Sequence, residues 1–402
     1  MTPAWDSGVV VSMSVRESSI RRRAFFSLMT GVAAVAFSRS AFAEDDEERS
    51  LGNTSPTPSS EDVELPAKAE ALQVDDPYAP LDANAAPAIA GDAPTPAPRV
   101  VRPALKASRV REVVRDERGT TLTLELLRAP FPAPGAFYDD PTVVVFVPSY
   151  YRTPKTGRSD VVVHFHGHHT TTERSMRAHD LREQLFDSKQ NAILVLPQGP
   201  VMAADSSIGK LEAPGGFSRF LTDVMATLQT KDAKAALARA STKVGRSVGT
   251  VCLSGHSGGY HAIASCVKHG GVAVREVYLF DALYGDEDTF RTWLLEGKKK
   301  HERRKLVSYC TGGTTVALSE RLFGALEKAG LRCARERTEG TLSRASLTVS
   351  DAVLIRTAIG HTDVPNESNG LRDCLYASGL TRHLRSSWFE KKSGARPVDR
   401  RR

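Results

Sequence analysis

From residue 120 onward the apolar positions come in short, β-branched runs separated by stretches of helical period. The segment 121–127 alternates apolar and polar, as a strand with one covered face does. The segment 142–147 is continuously apolar, as a strand covered on both faces is. Further runs at 161–165, 192–196, 250–253, 277–280, 306–309 and 352–355 predict six more strands. Between them lie helices. Ala178, Leu181 and Leu185 share a face, with Thr170-x-x-Glu173 ahead of them as a capping box. Phe217, Phe220, Leu221, Val224 and Leu228 form a second apolar face, Ala262, Ile263, Cys266 and Val267 a third, and 316–328 reads as a fourth helix ending before Gly330. Strands alternating with helices require parallel crossovers, so the fold class is α/β: a mostly parallel central sheet with helices on both faces.

Charge divides the 402 residues differently. The formal net charge is +7, but residues 1–43 carry +3, residues 44–98 carry −11 and residues 99–402 carry +15. Arg21-Arg22-Arg23-Ala24-Phe25-Phe26, the apolar run 27–37 and Ala41-Phe42-Ala43 have the parts of an export signal peptide cleaved after Ala43, with an apolar run too short to anchor in a bilayer. The paired arginines resemble a bacterial twin-arginine signal, which implies export to the periplasm or beyond and no transmembrane anchor in the mature chain. Residues 44–103 are acidic and rich in Pro and Ala, without apolar period, and are expected to be a disordered linker. The folded domain is expected at 104–390, followed by a basic tail at 391–402. Its dispersed positive charge fits an anionic cell-envelope surface rather than nucleic acid. Cys252 and Cys266 fall at core positions, so any disulfide would draw on Cys310, Cys333 and Cys374.

The chemistry concentrates in Val251-Cys252-Leu253-Ser254-Gly255-His256-Ser257-Gly258-Gly259-Tyr260, an apolar strand entering Gly-x-Ser-x-Gly and then a helix. Such a turn lifts the serine hydroxyl clear of the sheet and sets it at a helix N-terminus, which favours negative charge. A second cluster, His164-Phe165-His166-Gly167-His168-His169, ends an earlier strand. Its alternating histidines have the spacing of zinc ligands, but no carboxylate is interleaved with them.

These motifs together resemble the α/β-hydrolase superfamily over residues 120–385. The resemblance implies that Ser257 is a nucleophile and that the backbone N–H groups of Gly258 and of His168 or its neighbour form an oxyanion hole. His361, in Ile359-Gly360-His361-Thr362-Asp363 after the last strand, is then the general base. It implies no metal and no organic cofactor. The usual place for the acid, after the strand two beyond the elbow, reads Ser308-Tyr309-Cys310-Thr311-Gly312-Gly313 and holds no carboxylate. Asp281 ends the strand before it, a position some superfamily members use; Asp286, Glu287 and Asp363 compete. The resemblance therefore implies an exported serine esterase acting on an acyl ester, looking somewhat like secreted feruloyl esterases and polyester depolymerases. A peptidase or amidase with the same triad, or a non-catalytic envelope-binding protein on the same scaffold, are the other readings.

The charge division makes one prediction. Deleting residues 44–98 should strengthen salt-sensitive adsorption to anionic envelope material, read by co-sedimentation; unchanged adsorption would reduce the acidic segment to a spacer.

Overall fold

A computed structural model describes residues 105–202, 207–238, 243–336, 342–367 and 369–383. The expected signal peptide, acidic linker and basic tail lie outside these residues. Ten strands form one sheet: β1 (Arg109–Arg115), β2 (Gly119–Glu125), β3 (Thr142–Pro148), β4 (Arg158–Phe165), β5 (Ala192–Pro197), β6 (Ser247–His256), β7 (Val274–Phe280), β8 (Lys305–Cys310), β9 (Cys333–Glu336) and β10 (Ala352–Arg356). Their spatial order is β1-β2-β3-β5-β4-β6-β7-β8-β10-β9. The first three strands and the β3–β5 pair are antiparallel, and every pair from β5 to β9 is parallel. This is the mostly parallel sheet of the α/β-hydrolase fold, with an antiparallel margin at β1, β2 and β3.

Both faces are covered, which is why the central runs are apolar without alternation. Val161, Val163, Val251, Leu253, Val277 and Leu279 pack with α3 (Gly216–Thr227), α5 (Gly259–His269), α6 (Glu287–Lys299) and α7 (Gly313–Lys328). Val162, Cys252, Tyr278, Phe280, Val307 and Tyr309 face the other way, toward α1 (Thr172–Ala178), α2 (Leu181–Ser188) and α10 (Gly370–Tyr376). The remaining helices are α4 (Lys231–Leu237), α8 (Arg344–Val349) and α9 (Val364–Glu367).

One expectation is corrected. The helix read through Ala178, Leu181 and Leu185 is two helices, broken where the His179 ring turns inward and Asp180 takes a left-handed φ of 48°. Its N-cap is Thr171, whose Oγ1 accepts from Arg174 N at 3.2 Å, not Thr170; Glu173 reaches out to Arg111 instead. No disulfide joins Cys310, Cys333 and Cys374. Cys310 stands level with Arg356 at one end of the sheet and Cys333 level with Ala352 at the other, four residues or about 13 Å along the strands. Cys374 belongs to the opposite face from Cys310.

One buried charge pair ties α10 to the sheet. Lys305 and Glu276, 2% and 3% exposed, stand 3.8 Å apart. Lys305 Nζ donates to Ala377 O, and Glu276 accepts from Tyr278 Oη and Gly379 N. Removing one member leaves an uncompensated interior charge, which typically costs about 3–5 kcal/mol. We expect Glu276→Ala to lose stability on that scale in urea unfolding, and far more than Glu302→Ala, whose carboxylate is on the surface; equal effects would show that the pair does not hold α10.

Candidate active site

Strand β6 delivers Ser257 into a turn with φ of 52°, a left-handed conformation that costs a non-glycine residue about 1–3 kcal/mol. The turn is pinned by the Ser257 N–H to Phe280 O at 3.3 Å and by Tyr260 N to Ser257 O at 3.3 Å. Gly255 and Gly259 are pressed against Ile263 and against the Phe165 carbonyl, leaving no room for a side chain at either. Helix α5 starts directly behind the serine.

One strand over, β7 ends at Asp281, also left-handed at φ 45° and 2% exposed. Its carboxylate accepts from Thr311 N at 3.0 Å, Thr311 Oγ1 at 2.7 Å, Thr315 Oγ1 at 2.5 Å and His361 Nδ1 at 2.6 Å. Burial pushes this carboxyl up, but the hydrogen bonds from His361, Thr315 and Thr311 outweigh it, and the group titrates below the ordinary aspartate range. An ionised carboxylate only accepts, so Nδ1 of His361 carries the proton and Nε2 is left as a base. The competing acids are engaged elsewhere or turned outward. Asp286 binds His261 Nδ1 at 2.9 Å, Glu287 pairs with Arg321, and Asp363 is exposed.

Sequence reasoning noted the missing carboxylate after β8 but not what replaces it. Thr311 and Thr315 occupy that place and hold the carboxylate of the neighbouring strand from two sides. A hydroxyl-bearing pair four apart across a strand-to-helix turn was the available signal.

The loop bearing His361 is held by histidines. His256, immediately before Ser257, donates Nε2–H to the His361 carbonyl at 2.9 Å, and the two rings overlap at 4.7 Å and 36°. His179 stands edge-on to His256 at 4.9 Å and hydrogen-bonds the backbone of Thr362. His164 lies beyond it, bonded through Nδ1 to Ser254 Oγ at 2.8 Å. Burial, reinforced by neighbouring rings, pushes His256 down to about 3 and His164 well below its ordinary range. Burial likewise takes His179 down to about 4, against the opposing Thr362 bond. All three are therefore neutral at pH 7.

The His-Gly loop closes the site from the other side. His166 donates Nδ1–H to Gly167 O at 2.7 Å and accepts at Nε2 from Gly199 N at 2.9 Å, binding this loop to the Pro197–Pro200 loop. A Cβ on Gly167 would lie 2.9 Å from that of Ser257, so only glycine allows the loop to approach so closely. The His168 ring covers Gly258. The His169 N–H is taken by Val201 O at 2.8 Å. His166, Gly167, His168 and Gly258, together with Ile208 and Pro200, line a recess of about 20 Å³, room for one oxygen atom.

No family model matches the chain, and no curated protein matches it. Among solved structures the chain is similar to a ferulic acid esterase at 15% identity, covering 67% of this chain and 97% of that one with a TM-score of 0.41. It is similar to a Staphylococcus aureus fluorophosphonate-binding serine hydrolase at 9% identity, covering 64% and 97% with a TM-score of 0.38. A feruloyl esterase module from Clostridium thermocellum gives 13%, 73% and 96%, and 0.38.

The neutral histidines set a pH dependence. Their folded-state values lie below those of the unfolded chain, so between about pH 6.5 and 4 the unfolded chain binds more protons and stability falls as pH falls. Each histidine should contribute about 1.4 kcal/mol per pH unit to that slope. We expect the loss of urea stability between pH 7 and 5 to shrink by about one proton's worth in His256→Gln; an unchanged slope would mean that His256 is already protonated in the fold.

Proposed function

We propose that the protein is a serine hydrolase that cleaves a carboxylic ester through an acyl-enzyme. The observation that carries this reading is the Asp281–His361 hydrogen bond, 2.6 Å long, at a carboxylate saturated with donors, beside an elbow that presents Ser257. Ser257 Oγ attacks the acyl carbonyl and passes its proton to Nε2 of His361, while Asp281 stabilises the imidazolium and fixes its tautomer. Charge growing on the carbonyl oxygen is met in the recess by the N–H groups of Gly258 and His168, at the N-terminus of α5. His361 then protonates the leaving alcohol. Water enters by the same proton route and releases the acid. In this reading the substrate is an acyl ester met after export, in the periplasm or outside the cell, where the basic domain adheres to anionic envelope material. The acid at the end of β7 removes the motive for a non-catalytic scaffold, which rested on its lack after β8.

Labelling by a fluorophosphonate probe is the direct test. The folded protein should label at one site and Ser257→Ala should not; an unlabelled wild type, or a label that survives the substitution, would end the proposal. Asp281→Asn should lower kcat for p-nitrophenyl acetate by about 10³–10⁴-fold by presenting His361 with the wrong tautomer partner, while Asp363→Asn stays near wild type. The reverse order would move the acid to Asp363.

A further inference from the structure

The segment 207–212 has two sides. Ile208 closes the recess beside Gly258 and His168, whereas Lys210 and Glu212 face a cavity of about 600 Å³ whose lining continues through Arg128, the loop 131–138 and Arg219. The wall and that loop are joined by Lys210 N donating to Pro130 O at 3.0 Å. The cavity therefore adjoins the proposed reaction centre across a single stretch of chain.

Its chemistry is asymmetric. Three cations, Arg128, Lys210 and Arg219, meet one carboxylate, Glu212, which already accepts from Ile208 N at 2.7 Å and faces His261 Nε2 at 4.0 Å. Lys210 Nζ and Arg219 Nη1 are steadied by the neutral carbonyls of Leu127 and Pro214, at 2.8 and 2.9 Å, which orient the side chains without cancelling their charge. Asp223 lies outside the lining, and its Oδ2 accepts from Ser108 Oγ and Arg128 N. Among the described residues, no carboxylate is within ion-pair distance of any of the three cations. Aromatic surface completes the cavity: Phe131 and Tyr138 pack at 5.4 Å, and the Phe137 ring is 88% exposed at the lining. A cationic cavity with an exposed ring face suits a planar ring that carries a negative charge, since the ring stacks while guanidinium groups hold a carboxylate.

We propose that this cavity is the subsite for the part of the ester remote from the scissile bond, and that it selects a carboxylate-bearing ring. The proposal rests on the hydrolase reading, because it is the wall shared with the recess beside Gly258 and His168 that makes the cavity a substrate site. It assigns specificity to Arg128 and Arg219, which sequence reasoning did not single out.

Binding of 4-hydroxybenzoate and of its neutral isostere 4-hydroxybenzamide to the full chain, followed by ligand-observed NMR and calorimetry, tests the selectivity without requiring turnover. The anion should bind at least about tenfold more tightly, with a gap that narrows as salt is raised. Arg128→Gln/Arg219→Gln, two exposed positions whose melting temperature provides the folding control, should bring the two affinities together, and Phe137→Ala should weaken both alike. The same order should appear in kcat/KM for 4-acetoxybenzoate over 4-acetoxybenzamide. Equal binding of the two ligands, or an anion preference that survives the double substitution, overturns the subsite. Turnover of p-nitrophenyl acetate with no anion preference overturns the subsite alone. An anion preference in a protein inert to fluorophosphonate overturns both the hydrolase reading and the subsite's part in it.

Discussion

The site depends on one buried carboxylate. Asp281 is almost fully withdrawn from water, and an unpaired charge there would cost several kcal/mol. Four donors meet it, and they come from three places: the turn after β8, the first turn of α7, and the loop after β10. None of these segments can shift without breaking a charge-assisted bond in a place water does not reach. The carboxylate thereby fixes the mutual position of the ends of β7, β8 and β10, and the histidine it holds is the last part placed.

Behind His361 the interior is built from neutral imidazoles rather than aliphatic side chains. A methyl or phenyl group would fill the same space, but an imidazole both stacks on His361 and donates to its carbonyl, as His256 does. His179 repeats this toward Thr362, and Gln184 Nε2 bridges the carbonyls of His179 and Pro365 at 2.8 and 2.7 Å. The loop that carries His361 is thus hydrogen-bonded along its backbone to α1, α2 and the elbow. The break between α1 and α2 follows from the same requirement, because a continuous helix would have no free carbonyl at His179 to offer Gln184.

Much of this was legible in the sequence, for physical reasons that differ by element. The elbow is a backbone motif with side-chain exclusions at fixed spacing, so Gly255-His256-Ser257-Gly258-Gly259 declares itself. Asp281 stands out because a lone carboxylate after four apolar residues needs a partner. Strands covered on both faces announce themselves as apolar runs, and all eight expected runs are strands. The edges do not. Strand β1 alternates Arg and Glu with valines along an exposed margin, β9 is four residues of which three are half-buried, and α10 is buried on every side and so has no amphipathic period. Thr311 and Thr315 gave only the weak signal of their spacing, because hydroxyls acquire their meaning from the carboxylate that the fold brings to them. The thiols of Cys310 and Cys333 look near in a list of cysteines, but the register puts the length of a strand between them.

The residues that sit in left-handed conformations show where the accuracy of the site comes from. Ser257 and Asp281 each lie one residue past the end of a parallel strand, and each keeps its N–H bonded to the next strand over, Ser257 to Phe280 O and Asp281 to Tyr309 O. Thr357 N does the same from β10 to Cys310 O. The hydrogen-bonded ladder therefore extends past the nominal strand ends, and two of the three proposed catalytic side chains stand on the sheet itself rather than on loops. His361 is four residues beyond Thr357 and lacks that support. The buried carboxylate on one side and the histidine clamp on the other supply what the ladder cannot, and a site that keeps its proposed base on a loop needs both: the carboxylate fixes the ring's tautomer, and the clamp fixes the backbone from which the ring hangs.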